Sequence, residues 1–125
     1  LARAGRDAKD VDAVLVACVQ RMSSVLRNYD ACARWGGDEF ILLISGCDVP
    51  ALSAIAAKLG ANLRDAPVPL ADGRMVAVTA SIGAVLVGQD ESLSDAAARA
   101  DAALYEAKRN GRDRFVLHKT PLRAA

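Results

Sequence analysis

Apolar residues recur at intervals of three or four in three stretches of the chain, which cover residues 11–28, 49–63 and 92–109. This spacing gathers apolar side chains on one face of a helix and leaves charged ones on the other. Asp48 or Ser53 is available to cap the second stretch at its start, and Ser92 has Asp95 three residues later, as in a capping box. Asn110-Gly111 follows the third stretch as a C-terminal stop. We therefore predict three amphipathic helices.

Short apolar runs between these stretches predict strands. Residues 31–35 and 40–44 flank a glycine-containing turn, which predicts a β-hairpin whose second strand is buried on both faces. Residues 75–87 predict one longer strand, with Gly83 at a bulge or a close approach, and residues 114–118 predict a short final strand. The order α-β-β-α-β-α-β predicts an α/β fold of the α+β type, with helices packed on a mainly antiparallel central sheet.

Length and composition favour one small domain over residues 1–125, because 53% of the 125 residues are hydrophobic and 25% are charged. The net charge of +1 argues against binding to duplex nucleic acid or to a membrane surface. No apolar run approaches the roughly 20 residues that a bilayer requires. The N-terminal residues lack a signal-peptide pattern, which predicts a cytoplasmic location, and the absent initiator methionine suggests a piece of a longer parent chain.

The three cysteines, Cys18, Cys32 and Cys47, match no common zinc or redox spacing. We interpret them as small buried hydrophobic residues in a reducing compartment. The single histidine, His118, has no partner at ligand spacing, so no role is predicted for it.

Two adjacent carboxylates, Asp38 and Glu39, follow Gly36-Gly37 at the tip of the predicted hairpin. Like charges this close repel unless a cation lies between them. Oxygen ligands beside bare glycine backbone suit Mg²⁺ (or Mn²⁺) shared with the phosphates of a nucleotide. From this pair alone, a Gly-Gly turn with two solvated acids remains an open alternative.

Residues 34–40, Arg-Trp-Gly-Gly-Asp-Glu-Phe, resemble the signature of the GGDEF family of diguanylate cyclases. Residues 27–30 resemble the family's inhibitory RxxD motif and lie at the family's spacing from the signature. Residues 79–84 resemble its T-x-S-I-G-x strand, and residues 100–112 resemble its A-D-x-A-L-Y-x-A-K-x-x-G-R ending. The resemblance implies a nucleotidyl-cyclase-like palm fold with the signature on the hairpin turn.

The resemblance also implies a reaction in which two domains of a homodimer each bind one GTP and together form cyclic di-GMP and pyrophosphate. Asp38 is implied to bind the metal and to help deprotonate the attacking hydroxyl, and Glu39 to support the metal. Gly36 and Gly37 are implied to lie against the nucleotide.

The resemblance places two cations, Lys108 and Arg112, on the terminal phosphates of GTP. Taken by themselves, without the resemblance, both are better explained as favourable charge at a helix C-terminus. Asp12 falls where the family has a guanine-recognising Asp, since a carboxylate accepts from the N–H edge of guanine but not from adenine.

The same resemblance implies product inhibition by cyclic di-GMP at Arg27 and Asp30. Lys58 stands where the family often has a second arginine of that site, and lysine lacks the arginine fork. Sensory or effector domains are expected elsewhere in the parent chain. A membrane anchor in the parent, outside this domain, is left open.

The opening motifs of the family, including a strand that supplies a second metal carboxylate, are not found before Asp12. We therefore expect a domain that is incomplete at its N-terminus. Three explanations stay open: upstream residues in the parent, another segment or chain in that place, or a degenerate domain. Accordingly, a catalytically degenerate module that binds GTP or cyclic di-GMP is the alternative function, and a dimerisation scaffold is a third.

Overall fold

Three helices form where the apolar spacing predicts them. The structure, a computed structural model, describes residues 8–27, 30–36 and 39–118. Its helices are α1 (Ala8–Ser23), α2 (Val49–Arg64) and α3 (Leu93–Arg109). None of the helices in these ranges is both long enough and apolar enough to cross a bilayer.

The helix ends follow local capping chemistry. A side-chain oxygen of Asp48 accepts from the Ala51 N–H (2.9 Å), and Ser92 Oγ accepts from the Asp95 N–H (3.0 Å), so both N-terminal caps have formed. Helix α1 ends at Ser23, earlier than the predicted residue 28. The reason is a change from α-helical to 3₁₀-type hydrogen bonds between residues three apart, in which the Val25 N–H donates to the carbonyl of Met22.

Six strands form three separate pairs in the described residues. They are β1 (Ala31–Gly36), β2 (Glu39–Leu43), β3 (Val68–Pro69), β4 (Met75–Val76), β5 (Ser81–Val85) and β6 (Arg114–His118). The pairs β1–β2 and β3–β4 are antiparallel, whereas β5 and β6 are parallel and are connected through α3. The mixed α/β class is confirmed, and its strands lie in pairs instead of one continuous ladder.

Two strand predictions need correction. The predicted strand over residues 75–87 is interrupted, because residues 77–80 leave the ladder while Val78 and Ala80 enter the core. The interruption leaves β4 to pair with β3, which the sequence did not predict. The second hairpin strand is half-buried along its centre and exposed at Leu43, so it is not buried on both faces.

The main core lies where α1 and α2 meet the strands. Its buried members are Val14, Cys18, Met22, Leu59, Leu63, Val68, Leu70, Val78 and Ala80. Arg21 of α1 extends across this junction and donates to the carbonyls of Leu63, Ala66 and Pro67, which satisfies acceptors at the end of α2.

The cysteines are free thiols, as predicted. Cys18 is fully buried, and burial raises the pKa of its thiol, whereas Cys32 and Cys47 are half-buried. The prediction of small buried residues is therefore confirmed for Cys18, whereas Cys32 and Cys47 are less buried than predicted.

Gly83 lies at the closest approach between a strand and a helix. A Cβ atom there would be 2.2 Å from the Ala100 carbonyl oxygen and 2.3 Å from the Leu104 nitrogen. Only glycine lets the backbone of α3 pack directly on β5, which confirms the predicted close approach.

Candidate functional site

The glycine-acid segment lies at the tip of a β-hairpin. Strands β1 and β2 pair in register from Ala31 opposite Leu43 to Gly36 opposite Glu39. The register shifts between Arg34 and Gly36, as in a β-bulge, a feature that re-aims side chains near functional sites. The predicted hairpin is therefore confirmed.

Of the four predicted tip residues, Gly36 and Glu39 are described as the last strand pair before the turn. Gly37 and Asp38 lie outside the described residues. Glu39 is exposed, and none of the ion pairs between described residues involves its carboxylate.

A divalent cation fits the chemistry of this tip. The carboxylate of Glu39 is exposed and takes part in no ion pair between described residues, and it offers the hard oxygen ligands that Mg²⁺ prefers. The described residues contain no cluster of three or more His, Cys, Asp or Glu side chains that would hold an ion by themselves. Among the described residues of the tip, Glu39 is the carboxylate that suits a hard divalent cation.

A second pair of candidate residues, Arg27 and Asp30, lies at the base of the same hairpin. Asp30 Oδ2 accepts from the Arg27 backbone N–H (2.9 Å) and lies 3.4 Å from Arg27 Nε. Asp30 Oδ1 accepts from the Ser45 N–H (3.0 Å), and the Arg27 guanidinium donates to the Ser45 carbonyl. The structure thus brings Arg27 and Asp30 together, as the motif predicts, and adds Ser45.

These contacts determine the charge state of Asp30. Hydrogen bonds from the backbone N–H groups of Arg27 and Ser45 lower the pKa of the Asp30 carboxyl, and the positive charge of Arg27 lowers it further. The Asp30 side chain is only 2% exposed, whereas that of Arg27 is 46% exposed. Asp30 thus holds the loops, while part of the Arg27 side chain faces solvent.

Two other predicted residues have no described contact with the hairpin tip or with the Arg27–Asp30 pair. Lys58 is exposed on α2, and no hydrogen bond or ion pair between described residues links it to Arg27 or Asp30. Asp12 is exposed in the first turns of α1. In the described residues, neither side chain takes part in a hydrogen bond that fixes its direction.

The predicted cations lie at the end of α3. Lys108 is half-buried in the last turn, and Arg112 is exposed just beyond the helix. The Arg112 N–H donates to the carbonyl of Ala107 (3.0 Å), while Gly111 has φ +115°, which together form a Schellman-type C-cap. The predicted Asn110-Gly111 stop is confirmed, and it fixes the direction in which the backbone presents Arg112.

Sequence reasoning missed several polar partners near these residues. Ser45 acts through its backbone, which leaves no side-chain signal in the sequence. Arg64 and Asp113 form an ion pair (3.1 Å) although 49 positions separate them, so a short sequence motif cannot predict it. His118 Nε2 lies 2.7 Å from Glu106 Oε2, a contact between β6 and α3 that the sequence analysis did not anticipate.

The chain is similar to proteins of a known family. Residues 8–114 match the family described as diguanylate cyclase, GGDEF domain. Diguanylate cyclase A of Treponema denticola is 38% identical over 112 residues, which are 89% of this chain and 30% of that protein. The chain therefore spans less than a third of that relative.

Solved structures resemble the fold closely. Diguanylate cyclase SiaD of Pseudomonas aeruginosa, crystallised with its activator SiaC, is 37% identical, with a TM-score of 0.83 over 89% of this chain and 42% of that chain. The GGDEF domain of DgcB from Caulobacter crescentus, in complex with c-di-GMP, is 26% identical, with a TM-score of 0.78 over 85% of this chain and 63% of that chain.

Proposed function

Because the chain belongs to the diguanylate cyclase GGDEF family, we propose that it is the synthetic domain of an enzyme that condenses two GTP molecules into cyclic di-GMP. The single observation that best supports this proposal is the hairpin, in which Gly36 and Glu39 form the last strand pair on either side of Gly37 and Asp38. The parent protein works in the cytoplasm, with sensory or effector domains attached.

The proposed reaction is phosphoryl transfer between two nucleotides held by a homodimer. The ribose 3′-hydroxyl of each GTP attacks the α-phosphorus of the other and forms a new P–O bond. The bond from the α-phosphorus to the bridging oxygen breaks, pyrophosphate leaves, and the hydroxyl proton passes to Asp38. Two GTP therefore yield one cyclic di-GMP and two pyrophosphates, and positioning supplies much of the rate enhancement.

Asp38 and Glu39 are the proposed ligands of Mg²⁺ (or Mn²⁺). When bound, the ion offsets the negative charge of the phosphates. Glu39 is suited to this role because its exposed carboxylate has no competing ion pair among the described residues.

The chain's own residues hold the two ends of the nucleotide. Gly36 and Gly37 let it approach the backbone, and Lys108 and Arg112 neutralise the terminal phosphates. Asp12 accepts from the guanine N–H edge, which discriminates against ATP. The Schellman-type cap at Gly111 supports the role proposed for Arg112 on the phosphates, because it fixes the backbone direction at that residue.

Product inhibition is proposed at the base of the hairpin. Arg27 binds cyclic di-GMP through the exposed part of its side chain, Asp30 completes the site, and Lys58 adds charge from α2. The pairing of Arg27 with Asp30 at 3.4 Å supports this part of the proposal.

The test is synthesis by the full-length protein that contains these residues. Incubated with GTP and Mg²⁺, it should release cyclic di-GMP, measured by chromatography, and the Asp38→Ala variant should release none. The fold should survive that substitution, because Asp38 belongs neither to the buried core cluster nor to a described strand. Asp90→Ala, which removes an exposed carboxylate elsewhere in the chain, is the matched control and should retain wild-type turnover.

Two outcomes would contradict the proposal in different ways. GTP or cyclic di-GMP binding without any synthesis would favour the alternative, a binding module. Turnover by Asp38→Ala near the wild-type rate would remove Asp38 from the reaction.

A further inference from the structure

The loop after α3 has an uncommon backbone conformation. Three consecutive residues, Gly111, Arg112 and Asp113, have φ values of +115°, +63° and +46°. Glycine adopts such angles freely, and aspartate tolerates them better than most residues, but arginine rarely does. The surrounding contacts must therefore hold this loop, and Arg112 is at its centre.

Side chains on both sides of the loop hold it in place. Arg64, the last residue of α2, donates from Nη1 to Asp113 Oδ1 (3.1 Å). Arg114 Nε donates to the carbonyl of Arg112 (3.0 Å). The loop is thus connected to α2 on one side and to the first residue of β6 on the other.

The Arg64–Asp113 pair is well placed to act on Arg112. Both side chains are partly exposed, and pairs of this kind generally add little to global stability. Here the pair joins a helix end to a loop whose conformation is intrinsically unfavourable. Both residues also line a groove between α2 and β6, and the apolar part of its lining includes Ala80, Ile82 and Phe115. The effect of the pair should therefore be local and directed at the loop.

We propose that Arg64 and Asp113 are positioning residues, which hold the left-handed loop so that the Arg112 guanidinium points to the terminal phosphates of GTP. This inference rests on the proposed function, since it takes Arg112 to contact those phosphates. Neither Arg64 nor Asp113 touches the nucleotide.

The test compares steady-state kinetics of full-length variants. Arg64→Gln and Asp113→Asn should each lower kcat/KM for GTP by about two- to fivefold, as expected for a partly exposed ion pair. Asparagine tolerates a positive φ, so Asp113→Asn removes the charge without disturbing the backbone preference. Arg64→Lys should restore most of the loss. Arg109→Gln, which removes an exposed arginine packed over Tyr105, is the matched control and should have no effect.

A double-mutant cycle with Arg112 separates positioning from a general structural role. In an Arg112→Gln background, Arg64→Gln should cause no further loss, because the residue that it positions is gone. An equal loss in both backgrounds, or wild-type kcat/KM in Arg64→Gln, would overturn the inference.

Amide exchange gives a readout that is independent of turnover. The Arg112 N–H should exchange faster in Arg64→Gln and Asp113→Asn than in the wild-type protein, whereas amides inside α1 should not change. Unchanged exchange at Arg112 would also overturn the inference. Failure of the wild-type protein to make cyclic di-GMP would instead contradict the proposed function, so the two failures are distinguishable.

Discussion

The Asp30 carboxylate shows how one side chain can organise a loop. It accepts from two backbone N–H groups, those of Arg27 and Ser45, which come from opposite sides of the β1–β2 hairpin. A charged acceptor makes such bonds stronger than a neutral one would, and its burial keeps water from competing. Because the contacts favour the ionised form, the stabilisation that Asp30 provides should depend on pH.

We expect Asp30→Asn to lower the thermal midpoint at neutral pH. The pKa of Asp30 is lowered in the folded state, so its contribution is complete above the ordinary aspartate pKa of about 3.9. It is lost as the pH falls through that value towards the lower pKa of the folded state. The difference between wild type and Asp30→Asn should therefore be constant at neutral pH and shrink in acid. Asp90→Asn is the control, and a difference independent of pH would contradict this account.

Arg27 is the residue of this pair that a ligand can reach. We expect Arg27→Ala to weaken the binding of cyclic di-GMP by tenfold or more, on the order of 1.5–3 kcal/mol for a lost hydrogen bond to a charged group. Isothermal calorimetry on the full-length protein measures this affinity, with Arg109→Ala as the control. Equal affinities for wild type and Arg27→Ala would remove Arg27 from the proposed inhibitory site.

At the scale of elements, the packing of α3 on β5 depends on Gly83. Gly83→Ala would place a methyl group within 2.3 Å of the backbone of α3, which cannot move without separating from the strand. We expect a loss of about 1–3 kcal/mol or more in the free energy of unfolding, measured by urea denaturation.

Gly60→Ala is the matched control for that substitution. Gly60 lies inside α2, and a Cβ there would meet nothing within 4 Å, so alanine should stabilise the helix by about 0.5–1 kcal/mol. Equal effects at Gly60 and Gly83 would contradict the close approach.

Local chemistry accounts for the elements that could be predicted. The caps at Asp48 and Ser92 and the glycine at 111 act within a few residues, so their signals are present in the sequence itself. The break in the predicted strand over residues 75–87 could not be foreseen, because Val78 leaves the ladder to fill a core built by distant helices. Tertiary packing overrode strand propensity there.

At the scale of the whole molecule, one cluster joins α1, α2 and the strands β3 and β4. Leu63 is 1% exposed at its centre, so Leu63→Ala should cost about 2–5 kcal/mol in unfolding free energy. Leu93, which is 57% exposed, is the matched control, and Leu93→Ala should change stability by no more than about 0.5 kcal/mol. Denaturation curves of the two variants that coincide would contradict this description of the core.

Those parts of the candidate site that are formed by residues close together in the sequence could be predicted. The hairpin at Gly36 and Glu39 and the Arg27–Asp30 pair both come from short motifs. The Arg64–Asp113 pair was not predictable, because it depends on how α2 lies beside the loop after α3. The direction of Lys58 likewise depends on how α2 packs, which the motif does not contain.

The three strand pairs described above imply an order of assembly. The two antiparallel ladders join segments that are close in sequence, residues 31–43 and residues 68–76, whereas the parallel ladder pairs β5 with β6 across the whole of α3. Closing short loops costs little chain entropy, so the two antiparallel ladders should begin to pair early, whereas the β5–β6 pair requires α3 to form between its strands. The slow event in folding should then be the docking of α1 and α2, whose burial of Cys18 a thiol-labelling pulse would report as the last protection to appear.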